Sequence, residues 1–296
     1  MASIKPDRTV VYKTVGSLQI PMDIFLPKNV RNAPVILWFH GGGLLQGCRD
    51  SIAPYQRDGV QKYGYVCISA DYRLAPQVSV GEVFEDVKDC IRFIRNNLSC
   101  LLGEGLVDAS RLAVSGSSAG GFLTLLAGLY IDPKPHVIIP IYPITDPLGT
   151  FFNKSQPAPN GRYSASEEEM AVHLDVNAPP IANSGKAPED PRSNMYVYML
   201  RTATLAQLWG VAGNEDDVAP YRISRRIHEY GLPPTYLLHG DADTAVGVEQ
   251  SDEVAGAILG CGGTLEYERP HGEDHFLDKE DDYQNDKLYN FVMRYL

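Results

Sequence analysis

The sequence predicts an α/β fold: an eight-stranded, mostly parallel sheet with helices on both faces and an inserted cap. Three observations lead there. Strand-like and helix-like segments alternate along most of the 296 residues. The run 34–39 (PVILWF) is continuously apolar, as suits a strand buried on both faces. One long stretch between Ile141 and Thr235 breaks the alternation with no convincing strand.

The first two strands, 9–14 (TVVYKT) and Leu18–Phe25, flank a turn at Val15-Gly16-Ser17 and suggest an antiparallel hairpin. The apolar run 34–39 is the third strand and ends in His40-Gly41-Gly42-Gly43. A strand at 65–70 precedes an amphipathic helix over 80–97, and a strand at 111–115 precedes an Ala/Leu-rich helix over Ala119–Tyr130. Strands at 136–141, 235–239 and 264–268 complete eight, with helices near 248–259 and over 281–296. Right-handed crossovers between such strands put helices on both faces of one sheet.

The irregular stretch is punctuated by Pro157, Pro159, Pro179, Pro180, Pro188 and Pro191. Ser164 to Glu167 has the spacing of a capping box, opening a short helix through Leu174. Met195, Tyr196, Tyr198 and Met199 begin a helical apolar run reaching Trp209, which reads as core, with a pocket wall as the alternative. An insertion of this size in a regular α/β pattern is expected to cover a site. The expected division is a core of 1–145 and 206–296 with a cap at 146–205.

Composition narrows the partners. A net charge of −11 with no basic run argues against nucleic acid and against an anionic membrane surface. Five cysteines, Cys48, Cys67, Cys90, Cys100 and Cys261, contain no C-x-x-C pair and suit a reduced compartment. Metal-ligand spacing is absent, and no metal or cofactor is expected. The N-terminal stretch has charges and a proline where a leader would be apolar, and no run approaches the roughly 20 apolar residues of a membrane helix. The expectation is a soluble cytoplasmic protein, with a homodimer left open. The run 278–282 (DKEDD) reads as a solvated face at a helix N-terminus.

The chemistry centres on Gly116-Ser117-Ser118-Ala119-Gly120, between a strand and a helix. A strand-to-helix turn this tight needs small residues two places either side of its serine, and it presents that hydroxyl at a helix N-terminus. Ser118 meets the condition; Ser117 does not, because Ser115 stands two before it. The glycines after His40 let backbone N–H groups approach a substrate oxygen, a stabilisation of about 2.7–4 kcal/mol per donor in acyl transfer. His40 itself reads as a structural residue of the loop. A serine nucleophile needs a base and an orienting carboxylate. The strand ending at 239 runs into Asp241 and Asp243, and the one ending at 268 into His271 and His275. Parallel strands bring these ends to one edge of the sheet, so Ser118 can meet an acid at 241–243 and a histidine at 271–275.

Four motifs together resemble the α/β-hydrolase superfamily in its hormone-sensitive-lipase-like esterase branch. They are His40–Gly43, Asp71-Tyr72-Arg73-Leu74-Ala75-Pro76, Gly116–Gly120 with Gly121, and Leu232-Pro233-Pro234 ahead of Gly240-Asp241-Ala242-Asp243. The resemblance spans about residues 34–276 and implies the α/β-hydrolase fold and hydrolysis of small or short-to-medium acyl esters. Its Gly-x-x-Asp pattern selects Asp243 over Asp241, and His275 fits its histidine position better than His271. It further implies oxyanion donors at the N–H groups of Gly42, Gly43 and Ala119, with Gly41 an alternative to one of them. Specialised hydrolases, lactonases, arylformamidases and acyltransferases share this triad. A non-catalytic ligand receptor on the same fold is the rival of another kind. Members usually carry a longer N-terminal cap segment, so the cap is expected mostly from 146–205.

Overall fold

Eight strands among the described residues form one sheet: β1 (Arg8–Val15), β2 (Leu18–Phe25), β3 (Ala33–Phe39), β4 (Val66–Ala70), β5 (Val107–Ser117), β6 (Val137–Ile141), β7 (Thr235–Leu238) and β8 (Leu265–Glu268). Their order is β1-β2-β4-β3-β5-β6-β7-β8. The hairpin β1–β2 and the pair β2–β4 are antiparallel, and every other pair is parallel. The computed structural model describes residues 5–29, 31–186, 189–211, 213 and 215–296. The first four residues of the N-terminal stretch, and Pro188 of the irregular stretch, lie outside them.

The helices are α1 (Pro54–Tyr63), α2 (Val80–Leu102), α3 (Ala119–Tyr130), α4 (Glu167–Leu174), α5 (Met195–Thr202), α6 (Leu205–Leu208), α7 (Glu215–Val218), α8 (Ile223–Tyr230), α9 (Glu249–Gly260) and α10 (Asp286–Tyr295). Strand β3 is buried throughout, and its side chains alternate between two cores. Val35, Leu37 and Phe39 join the core beneath α2, α3, α8 and α9, while Ile36 and Trp38 join the one beneath α1 and α10. That two-sided burial is why its sequence is apolar without alternation.

The topology locates the site. From β3 the chain leaves to α1 on one face and returns as β4; from β5 it leaves to α3 on the other face. Because β3 and β5 are neighbours whose connections depart to opposite faces, a crevice opens at their C-terminal ends.

Several element boundaries differ from the sequence expectation, each for a local reason. Helix α2 continues to Leu102 because Leu98 and Leu102 extend its buried stripe, and Gly103 ends it at φ 115°. The capping box of α4 is Ser166 with Glu169, not Ser164 with Glu167. Ala165 is buried just before it, and the Tyr163 hydroxyl also donates to the Glu169 carboxylate, which holds that register. The run expected from Met195 to Trp209 is broken at Ala203, which adopts φ 55°, while the Thr202 and Thr204 hydroxyls bond each other at 2.8 Å. Helix α10 starts at Asp286 rather than 281, because the Asn285 side chain accepts from the Leu288 N–H at 2.9 Å. Helices α1 and α8 were not among the expected elements: α8 is short and buries only Ile223 and Ile227, and α1 has a sparse buried face containing Gln56 and Gly59.

Candidate active site

Ser118 sits between β5 and α3 with φ 58° and ψ −117°, a conformation that L residues rarely adopt and that the close packing around it imposes. A Cβ on Gly116 would lie 2.2 Å from the Gly120 carbonyl oxygen, and one on Gly120 would lie 2.0 Å from that of Phe39. Those contacts explain why both flanking positions are glycine. As the first residue of α3, Ala119 has no intrahelical acceptor for its N–H.

The glycine loop passes close to this turn: a Cβ on Gly41 would stand 3.0 Å from that of Ser118. Its peptides are oriented by their carbonyls. The Gly41 oxygen accepts from His40 Nδ1 at 2.8 Å, and the Gly42 oxygen accepts from the Leu45 and Gln46 N–H groups. In a trans peptide the N–H points opposite to the C=O, so the Gly42 and Gly43 N–H groups are turned away from those partners. The Gly43 oxygen accepts from the Trp209 indole at 2.7 Å. His40 is fully buried, stacked on Tyr72 at 4.1 Å, and its burial lowers its pKa, which fits the structural role expected of it.

The Asp71–Pro76 segment holds this loop from behind. The Tyr72 hydroxyl donates to the His40 carbonyl at 2.8 Å, and Arg49 donates to Asp71 through its backbone N–H and its guanidinium. Arg73 forms a forked pair with the buried Asp86. The segment 146–205 joins the same support. Arg192 donates to the carbonyls of Leu45 and Ala75, both at 2.8 Å, and burial lowers its pKa to about 10.

The structure separates the acids and histidines into two pairs. Asp243 Oδ2 accepts from His275 Nδ1 at 2.6 Å, while Asp243 Oδ1 accepts from the Ala245 and Val246 N–H groups at 2.8 Å. Asp241 instead accepts from His271 Nδ1 at 2.9 Å and from the Gly272 N–H at 2.7 Å, at the surface. Burial alone would raise the Asp243 pKa. The His275 charge and the hydrogen bonds from His239 and His275 outweigh it and hold the carboxyl well below its usual range. With Nδ1 committed to Asp243, His275 has Nε2 free for the cavity.

Ser118 and His275 line one cavity of about 50 Å³, roofed by Pro159, Arg162 and Tyr196. Tyr196 is thus a pocket wall and its hydroxyl donates to the Ala245 carbonyl at 2.7 Å, whereas Met195 and Met199 are buried in the core.

Other features of the site had no signal in the sequence. His239, the residue after β7, is fully buried; its Nε2 lies 3.0 Å from the Val246 carbonyl and 3.2 Å from Asp243, and its Nδ1 2.7 Å from the Ser251 hydroxyl. Asp278, expected on a solvated face, is fully buried and accepts from the Tyr142 hydroxyl at 2.5 Å. Phe276, with φ 69°, redirects the chain beside Tyr142, whose ring packs on His275 and Phe276.

This architecture is the α/β-hydrolase fold. It aligns with an α/β-hydrolase superfamily protein from Enterococcus faecalis at 18% identity and a TM-score of 0.73, covering 98% of this chain and 97% of the other. A thermophilic esterase from Thermogutta terrifontis, solved with propionate bound, aligns at 20% identity and a TM-score of 0.65, covering 97% and 91%. Within the fold, the chain belongs to the BD-FAE family, whose model matches residues 22–177. It is also 27% identical over 94% of its length to the non-reducing polyketide synthase mapC' of Penicillium brevicompactum, but spans only 15% of that protein.

Proposed function

We propose that this chain is a serine hydrolase acting on carboxylic esters of small or short-to-medium acyl groups. His275 Nε2, oriented through Nδ1 by Asp243, accepts the Ser118 proton as the hydroxyl oxygen attacks the ester carbonyl. The oxyanion is met by the N–H groups of Gly42, Gly43 and Ala119. Collapse expels the alcohol, which takes its proton from His275. Water, activated by the same histidine, then releases the acid and restores Ser118. The single observation that carries this is the strained Ser118 sharing one enclosed cavity with a histidine held by a buried aspartate. The glycine loop supports a kinship to hormone-sensitive-lipase-like esterases, and segment 146–205, which supplies Pro159, Arg162 and Tyr196, serves as the cap. A cavity of about 50 Å³ favours short acyl groups. Among the described residues no helix is long and apolar enough to cross a membrane, and all five cysteines are free, in keeping with a reduced compartment.

The test is a p-nitrophenyl ester series from acetate to laurate, with fluorophosphonate labelling of wild type and Ser118→Ala. Short esters should be cleaved best and only wild type should label. Equal labelling of the variant would remove Ser118 from the role.

A second reading is favoured by the polyketide synthase similarity over nearly the whole chain. In it, the same residues release or transfer a polyketide-derived acyl group from an ester or thioester. A carrier-linked acyl thioester turned over much faster than any p-nitrophenyl ester would select it.

A further inference from the structure

The cavity above Ser118 adjoins a second chamber of about 160 Å³, the two sharing Gly42, Gln46, Arg162 and Phe276 as walls. The chamber is further lined by Lys279, Ser51 and Ser117. Lys279 Nζ donates to the Ser51 carbonyl at 2.8 Å and lies 5.0 Å from the centre of the Trp38 ring. Arg162 is exposed at the mouth. Among the described residues, no carboxylate stands within 4.0 Å of either cation. Asp278, next in the chain, is fully buried, with Oδ1 engaged by Tyr142 and Oδ2 without a hydrogen bond; its charge reaches Lys279 only from beyond 4.0 Å. The Ser117 hydroxyl is 2% exposed and lies near the Tyr142 phenol, yet it forms no hydrogen bond of acceptable geometry. In a chain of net charge −11, a chamber with two unpaired cations, an unused buried hydroxyl and no acidic wall is built for a negative group. Burial lowers the Lys279 pKa against the pull of Asp278, and the Lys186 charge lowers it further; a seated anion would oppose that.

Resting on the hydrolase reading above, we propose that this chamber is an anion subsite. The ester cleaved at Ser118 carries a carboxylate, which Lys279 and Arg162 bind with the Ser117 hydroxyl as a further donor. A carboxylate on a short arm suits a space of this size and three donors of this kind.

Two matched ester pairs test this in the whole chain. Mono-p-nitrophenyl glutarate against its methyl ester places the charge on the acyl side. 4-Butyryloxybenzoate against phenyl butyrate places it on the leaving group. In one of the two pairs the anionic ester should have the higher kcat/KM. In that pair the anionic-to-neutral ratio should fall by about tenfold in Lys279→Met and in Arg162→Met, as expected on losing a hydrogen bond to a charged group. Arg162→Met serves if Lys279→Met fails to fold, since Arg162 is exposed. A neutral preference in both pairs, or ratios unmoved by both variants, overturns the subsite.

Binding to Ser118→Ala, measured by calorimetry with monomethyl against dimethyl glutarate, needs no turnover. A carboxylate preference there, lost in the Arg162→Met double variant, sustains the subsite even if every ester proves inert, in which case the hydrolase reading alone fails. Equal binding of the two glutarates, or none of either, overturns the subsite while leaving hydrolysis of neutral esters as a separate result.

Discussion

Two Asp–His pairs stand on the same two loops, after β7 and after β8, separated by 30 residues in one pair and 32 in the other. Both join a carboxylate to a histidine Nδ1, at 2.9 Å and 2.6 Å, and both carboxyl groups have lowered pKa values. They differ in surroundings. The His271 side chain is 97% exposed, and that of His275 is 3% exposed, against Tyr142 and within reach of the Ser118 cavity. Pairing and a lowered carboxyl pKa are therefore not what separates a candidate site pair from a surface contact. Enclosure does so, because it raises the strength of every interaction inside and fixes the ring that must face Ser118.

The comparison breaks first at Ser118. Ser118→Ala keeps both pairs and should lower kcat on a p-nitrophenyl ester by about 10⁶-fold. Residual turnover near wild type would mean that neither pair is tied to that serine. Next in size is the contrast between the acids: Asp243→Asn should lower kcat by about 10⁴-fold, since the ring loses its tautomer and orientation, while Asp241→Asn should stay within about twofold. Steady-state kinetics on the two variants, side by side, would reverse the assignment if the larger loss fell on Asp241.

The acid side of the stability profile is a smaller effect. The folded Asp243 pKa is depressed, so its contribution is complete above the unfolded carboxylate value of about 3.9 and is lost as pH falls below it toward the folded value. Calorimetric melts should show wild type losing stability faster than Asp243→Asn below about pH 4. Parallel acid limbs would show that the Asp243 carboxyl is not ionised in the native state.

Smallest is the surface pair. Hydrogen bonding to Asp241 raises the His271 pKa, so its slight stabilisation is present below the unfolded histidine value of about 6.5 and is lost as pH rises through the folded one. A histidine NMR titration should find His271 above that ordinary value in wild type and back at it in Asp241→Asn. An unmoved His271 would dissolve the surface pair as a real contact.

What was legible in the sequence follows the range of the forces involved. The elbow at Ser118 and the loop at Gly41–Gly43 could be read because each shows as small residues at a fixed short spacing: backbone atoms would lie 2.0–2.2 Å from a Cβ added at Gly42, Gly116 or Gly120, and Gly42 and Gly43 have positive φ. The central strands β3, β4, β6 and β7 were legible because burial on both faces writes itself as continuous apolarity, and the edge strands β1 and β2 because a turn separates them. Helices α1 and α8 were not: α8 spans eight residues with only Ile223 and Ile227 buried, and α1 is polar for most of its length. Asp278 was misread because a run of charges looks the same whether the chain continues over the surface or turns inward at Phe276.

By itself the sequence determined the sheet, the glycine-flanked turn at Ser118 and the choice of loops that could meet it, all consequences of local sterics and apolar periodicity. The family resemblance already favoured Asp243 and His275; only the tertiary structure decided that His275 lines the Ser118 cavity with Asp243 behind it, that His239 also touches Asp243, and that Lys279 and Arg162 share a chamber with no carboxylate in its walls. Those outcomes depend on burial and on distances between segments far apart in the chain, and no spacing along the chain records either.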